Sequence, residues 1–170
     1  MVPQPFCRDH IKLIPSSSGT FSSKSTWQAL RVRRPKVPWH ALVWFSEAIP
    51  KTGIILWLAI RGRLGTKDRL HTGISPYCLL CDACFESHDH LFFNCTFSKT
   101  IWEELLAICG LHYSSESWED RIALMAVLTK GKGLLSTIRK LSLAVSIYFI
   151  WQERNIRLHD QITRSSSSVL

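Results

Sequence analysis

The stretch "CLLCDACFESHDHLFFNC", Cys78 to Cys95, holds four cysteines and two histidines. Metal donors at that density constrain a chain more than any hydrophobic pattern, because one ion ties separate turns together. Zinc takes four thiolate or imidazole ligands in a tetrahedron. Cys78 and Cys81, with two residues between them, suit a single tight turn. The second pair comes from Cys84, His88, His90 and Cys95. Cys84 would crowd a third sulfur onto the same turn. His90 and Cys95 leave eight residues in which the chain can reverse. Cys78, Cys81, His90 and Cys95 are therefore the candidate ligands of one structural zinc. Their difficulty is angular: five residues on an ideal α-helix turn through about 140°, which puts His90 at or just before a helix start. The plain alternative is a set of buried cysteines beside surface histidines. Cys84, Cys109 and Cys7 read as ordinary thiols and His88 as a solvated loop histidine. Whether Cys84 or His88 can replace a ligand stays open.

The surrounding chain reads as helical. Hydrophobic residues make up 46% of it, which argues against disorder. Residues 1–20 are rich in proline and serine and read as an irregular arm. Helices are expected over 22–34, 39–48, 50–63, 66–73, 89–110, 117–130 and 134–160. The 50–63 helix is apolar all round and should be central. The fold class is mostly α: a small helical domain with a zinc-stapled hairpin insert. Its parts are the arm at 1–20, a zinc domain at 21–110, C-terminal helices at 111–160 that pack on it or stand semi-independent, and a disordered polar tail at 161–170. The apolar runs "GIILWLAI" and "LSLAVSIYFIW" fall short of the roughly 20 residues needed to cross a bilayer, and no secretory signal is visible. The expectation is an intracellular chain without a membrane partner, nuclear or cytoplasmic, in which cysteines bind metal rather than pair.

The net charge of +8 is unevenly placed. Residues 24–71 carry ten Lys or Arg against Glu47 and Asp68, whereas 72–98 carry none against Asp82, Glu86 and Asp89. Two basic clusters stand out: Arg31, Arg33, Arg34 and Lys36, then Arg61, Arg63, Lys67 and Arg69. They are the candidate nucleic-acid contacts, provided they converge; otherwise they are solvated helix ends. The acidic zinc hairpin should repel a phosphate backbone. Phe92, Phe93, Phe97 and Trp102 read as core rather than as base-stacking groups.

The run "CLLCDACFESHDHLFFNCTFSKTIW" resembles the zinc-binding domain that follows reverse transcriptase in plant non-LTR retrotransposons. The resemblance is carried by Cys78, Cys81, Glu86-Ser87, His90-Leu91-Phe92, Cys95 and Ile101-Trp102. Upstream, "FSSKSTWQAL" is similar to the family's opening, and Trp44, Pro50, Lys51, Trp57, Arg63, Leu64 and Thr66 line up with its middle segment. Ile55 replaces a usual Phe, and Leu58 a frequent Arg. "FIWQERNIRLHD" is similar to a stretch that often trails the domain. The resemblance implies a piece of a replicating polyprotein, with RNA or DNA and the polymerase or nuclease modules of related elements as partners.

No enzyme is legible. Polymerase and two-metal nuclease chemistry need converging carboxylates, and the thirteen acidic residues are scattered with no Asp-Asp pair. A zinc with four protein ligands has no open position for substrate. The expected function is a non-catalytic, nucleic-acid-binding accessory domain. The alternatives are a protein-interaction scaffold and a non-functional retroelement remnant.

Overall fold

The computed structural model describes residues 21–32, 34–69, 75–111, 117–160 and 162–166. The chain divides into two units, 1–36 and 37–170. In the first, helix α1 spans Ser23–Leu30. Ser22 caps it, its hydroxyl accepting from the Ser25 amide. The helix stops at Leu30, short of the expected 34, with Arg31 already extended. No residue of α1 is buried, and Trp27 and Leu30 lie open to solvent. The expected arm at 1–20, Cys7 and Arg33 lie outside the described residues.

The second unit is a helical bundle with one irregular excursion. Its α-helices are α2 (His40–Val43), α3 (Pro50–Ile60), α4 (Thr96–Ile108), α5 (Trp118–Leu128) and α6 (Leu134–His159). No strand forms among the described residues; one antiparallel bridge joins Tyr77 to Phe85. Pro50 opens α3 at the first-turn position that needs no amide donor. Ser117 caps α5 by accepting from the Asp120 amide, and Glu119 and Asp120 sit favourably at its positive end. Of the helix expected at 66–73, the described part holds a 3₁₀ turn at Lys67–Arg69; 70–73 lie outside the described residues.

The axis of the unit is the pairing of α3 with α6. Thr52, Leu56 and Ala59 are buried along one side of α3. The helix is central, as expected, although its apolar residues go all round and only one side is buried. Ile54 and Trp57 face outward, 48% and 38% exposed. Against α3, α6 buries Leu143, Ala144, Ile147 and Ile150. By length and composition α6 could cross a membrane, yet here its apolar side is core. The core continues through Leu42, Leu91, Phe92, Ile101, Trp102 and Ile122. Residues 162–166, expected as part of a disordered tail, are held to α6. The Glu153 carboxylate accepts from the Arg164 amide at 3.0 Å and pairs with its guanidinium at 2.8 Å.

Candidate metal centre

The chain folds back at 76–86. The Glu86 amide donates to the Pro76 carbonyl and the Cys78 amide to the Cys84 carbonyl, both within 2.9 Å. Between them, Cys78 to Cys81 forms a tight turn. The Asp82 amide closes it on the Cys78 carbonyl at 2.9 Å, and the Leu80 amide points at the Cys78 sulfur at 3.4 Å. Leaving this turn, Asp82 adopts φ +53°, a left-handed conformation that L-residues other than Gly and Asn/Asp seldom take.

His90 and Cys95 are brought together by a device absent from the sequence expectation. Residues His90–Asn94 form a single π-helical turn, and the Cys95 amide donates to the His90 carbonyl at 2.7 Å. This is an i→i+5 bond, so residues five apart fall one turn apart on the same face. The angular difficulty of an α-helix vanishes. Cys95 then turns extended, at ψ 136°, before α4 begins, which breaks the continuous helix expected over 89–110. The break leaves helix-end carbonyls in need of donors. Two side chains of α4 supply them: the Ser98 hydroxyl to Leu91 at 2.5 Å and the Trp102 indole to Phe92 at 2.7 Å.

The result is four donor atoms, from Cys78, Cys81, His90 and Cys95, all within 4.8 Å of one another. The Cys78 and Cys95 sulfurs are 3.9 Å apart, and the Cys81 sulfur lies 3.3 Å from His90 Nε2. Edges of a zinc tetrahedron with bonds of about 2.0 to 2.3 Å are roughly 3.5 to 3.8 Å. A disulfide would need about 2.05 Å, and all four cysteines of this region are free. Titration directions differ within the cluster. As thiols, Cys78 and Cys95 share a hydrogen bond that pushes Cys78 up, helped by burial, and holds Cys95 below the ordinary range. Burial lowers His90, which favours the neutral, ligating imidazole.

Cys84 is exposed and lies outside the cluster. His88 corrects its sequence reading: it is buried rather than solvated. Its ring lies edge-on to Trp118, with centroids 4.3 Å apart, and to Phe92 at 4.9 Å. Burial accordingly lowers its pKa. Phe92, Phe93 and Trp102 are core, and Phe97 lies beneath Arg157 with the guanidinium 4.9 Å from its ring.

The centre is anchored from the far end of the chain. Glu86 is buried and pairs with Arg154 of α6 at 2.8 Å, while also accepting from the Lys67 amide at 2.9 Å. Arg157 donates to the carbonyls of Leu79 and Leu80, inside the Cys78–Cys81 turn, at 3.1 and 3.0 Å. Asp89 accepts from the Trp118 amide at the start of α5. Of the hairpin's acids, Glu86 thus gains a charge partner and Asp89 a backbone donor. Sequence reasoning missed Arg154 and Arg157 as supports of the zinc turn, although both lie in the "WQERNIR" stretch already singled out.

Residues 21–102 match the family model described as zinc-binding in reverse transcriptase. This segment is a reverse-transcriptase zinc-binding domain. No curated protein and no solved structure matches the chain. The residues of the zinc-binding domain close a Cys₃His shell that fits one structural zinc.

The two basic clusters fall in different units. Arg31, Arg34 and Lys36 are exposed in the first. In the second, Arg61 and Arg63 are exposed. Lys67 is engaged, its ammonium donating to the Tyr77 carbonyl at 2.6 Å, and Arg69 donates to the Gly62 carbonyl. Gly62, at φ +57°, closely faces that guanidinium, and an added Cβ would meet it at 3.0 Å. Lys67 is thus tied to the start of the hairpin and Arg69 to the end of α3.

Proposed function

We propose that the chain is a non-catalytic accessory module of a plant non-LTR retrotransposon polyprotein, in which structural zinc holds a surface that binds single-stranded RNA or DNA. The observation that carries this reading is one face of α3. Lys51, Ile54 and Trp57 are exposed at every third residue, and Arg61, at the helix end, continues the line. Cations interleaved with a flat aromatic group suit a strand whose phosphates and bases alternate. Arg63 extends the basic end, and Arg31, Arg33, Arg34 and Lys36 supply a second candidate cluster in the other unit. A four-ligand zinc has no place for substrate, which supports a non-catalytic role. Thiolate ligation needs a reducing compartment, in keeping with an intracellular site, nuclear or cytoplasmic.

Titration of a single-stranded oligonucleotide at several salt concentrations tests the reading. Affinity should fall with log salt at about 0.7 per phosphate contact. The Arg61→Ala/Arg63→Ala variant should lower that slope, and Trp57→Ala should weaken binding by about 1–3 kcal/mol. A salt-insensitive chain would sink the proposal. A second reading has its own observation: Ile54 on the same face and Ile49 at the cap of α3 are each 48% exposed, apolar surface that suits a protein partner such as a polymerase or nuclease module. Salt-independent binding to such a module would favour it.

A further inference from the structure

A cavity of about 520 Å³ opens between the α2–α3 connection and the start of α6, away from the zinc turn. Its size falls within the range of small-molecule sites, about 300–1,000 Å³. Three kinds of group line it. Trp44 presents an indole that is 47% exposed, beside Phe45. Glu47 presents a carboxylate, one oxygen of which accepts from the Ser46 hydroxyl at 2.5 Å. Lys140 presents an ammonium on a side chain that is 95% buried as a residue, 5.6 Å from the Phe45 ring and donating to the Gly131 carbonyl at 3.2 Å. An ammonium has three donors, so this bond leaves Lys140 further hydrogen-bonding capacity. Exposed Lys132 stands at the rim.

A planar indole, a pure acceptor and a pure donor in one cavity define a chemistry. The indole stacks on a flat ring. The carboxylate accepts from two adjacent N–H groups, and the ammonium donates to a neighbouring carbonyl oxygen. Among the nucleobases, guanine carries that sequence on its Watson–Crick edge: N2–H and N1–H donors next to the O6 acceptor. Adenine and cytosine offer one donor group beside an acceptor nitrogen, and uracil one donor between two acceptors. We propose that this cavity takes an unpaired guanine of a single-stranded nucleic acid, stacked on Trp44, with Glu47 and Lys140 reading its edge and Lys132 meeting its phosphate. The Ser46 hydrogen bond holds Glu47 below the usual carboxylate range, which keeps it an acceptor at neutral pH. The proposal rests on the nucleic-acid reading above and adds its base specificity.

The test uses the full chain loaded with zinc. It is titrated with uridine decamers carrying one central guanine, inosine or adenine, and separately with free guanosine and adenosine 5′-monophosphates. Inosine keeps O6 and N1–H but lacks the N2 amine. The guanine strand should bind about tenfold tighter than the inosine strand, and free guanosine monophosphate ahead of adenosine monophosphate. Glu47→Gln, at unchanged zinc content and melting temperature, should reduce the guanine preference to less than about twofold. Equal binding of all three strands overturns the guanine assignment and leaves strand binding standing. Guanine preference that survives Glu47→Gln overturns it too. Selective binding of guanosine monophosphate with no strand binding overturns the strand as the source of the guanine, and the wider nucleic-acid reading with it.

Discussion

Cys78, Cys81, His90 and Cys95 gather their donor atoms within 4.8 Å of one another, whereas Cys84 is exposed and outside the cluster. Zinc analysis of purified protein should find one ion per chain, lost in Cys78→Ser and kept in Cys84→Ser. Retention of zinc by Cys78→Ser would overturn the ligand set. Because the ion must displace thiol protons from Cys78 and its neighbours, its affinity should rise with pH. Competition against a chelator between pH 6 and 8 reads this, and a flat profile would contradict it. A single backbone angle makes a different prediction. Asp82 holds φ +53°, a conformation that costs an ordinary L-residue about 1–2 kcal/mol. Asp82→Val should destabilise by about that amount, whereas Asp82→Gly should be neutral or stabilise by up to about 1 kcal/mol. Urea unfolding of the zinc-loaded proteins checks both.

Between elements, the decisive contact joins the zinc hairpin to α6. Glu86 and Arg154 are both buried, so each is the other's means of leaving water. Arg154→Met alone should cost about 3–5 kcal/mol, because it strands a buried carboxylate. The Glu86→Leu/Arg154→Met double variant should lose less than the two single changes added together, and strict additivity would argue against the pair. Glu153 makes the next connection, to Arg157 and Arg164. Burial by itself would raise its pKa, but hydrogen bonds from Arg157 and Arg164 outweigh this and hold it below the usual range. A depressed carboxylate contributes stability above its unfolded pKa of about 4.3 and loses it as pH falls through the folded value. The stability gap between the wild type and Glu153→Gln should therefore be full at pH 6 and narrow steadily below about 4.3. A gap constant down to pH 3 would refute the assigned role.

At the scale of the whole second unit, the zinc domain recognised in 21–102 draws part of its support from outside that segment. Arg154 and Arg157 reach back from α6 to Glu86 and to the carbonyls of Leu79 and Leu80. The α3–α6 pairing gives α3 its buried side. A chain ending at residue 110 should consequently lose amide-exchange protection in α3 and bind zinc more weakly than the full chain, even though all four ligands remain. Equal zinc affinity and protection in the two proteins would show that the C-terminal helices are dispensable.

Ligand identity, helical class and most element positions were legible from sequence because each depends on near neighbours. Cys-x-x-Cys is one turn, Ser22 and Ser117 cap within three residues, and Pro50 sets a first turn. The π turn at His90–Asn94 was not legible, since local propensity favours an α-helix there. It accepts donors from Ser98 and Trp102, and it brings two of the four zinc donors, His90 and Cys95, together. The burial of His88 was equally hidden, because its enclosure comes from Trp118, thirty positions away. So was the outward side of α3: an apolar helix declares that it can be buried, but only its partner decides which side is. The sequence by itself determined the four zinc ligands and the helical character around them, which rest on residue type and short spacing. Tertiary structure alone decided that Arg154 and Arg157 hold the zinc turn and that Trp44, Glu47 and Lys140 share a cavity, since contacts across tens of residues leave no mark on local pattern.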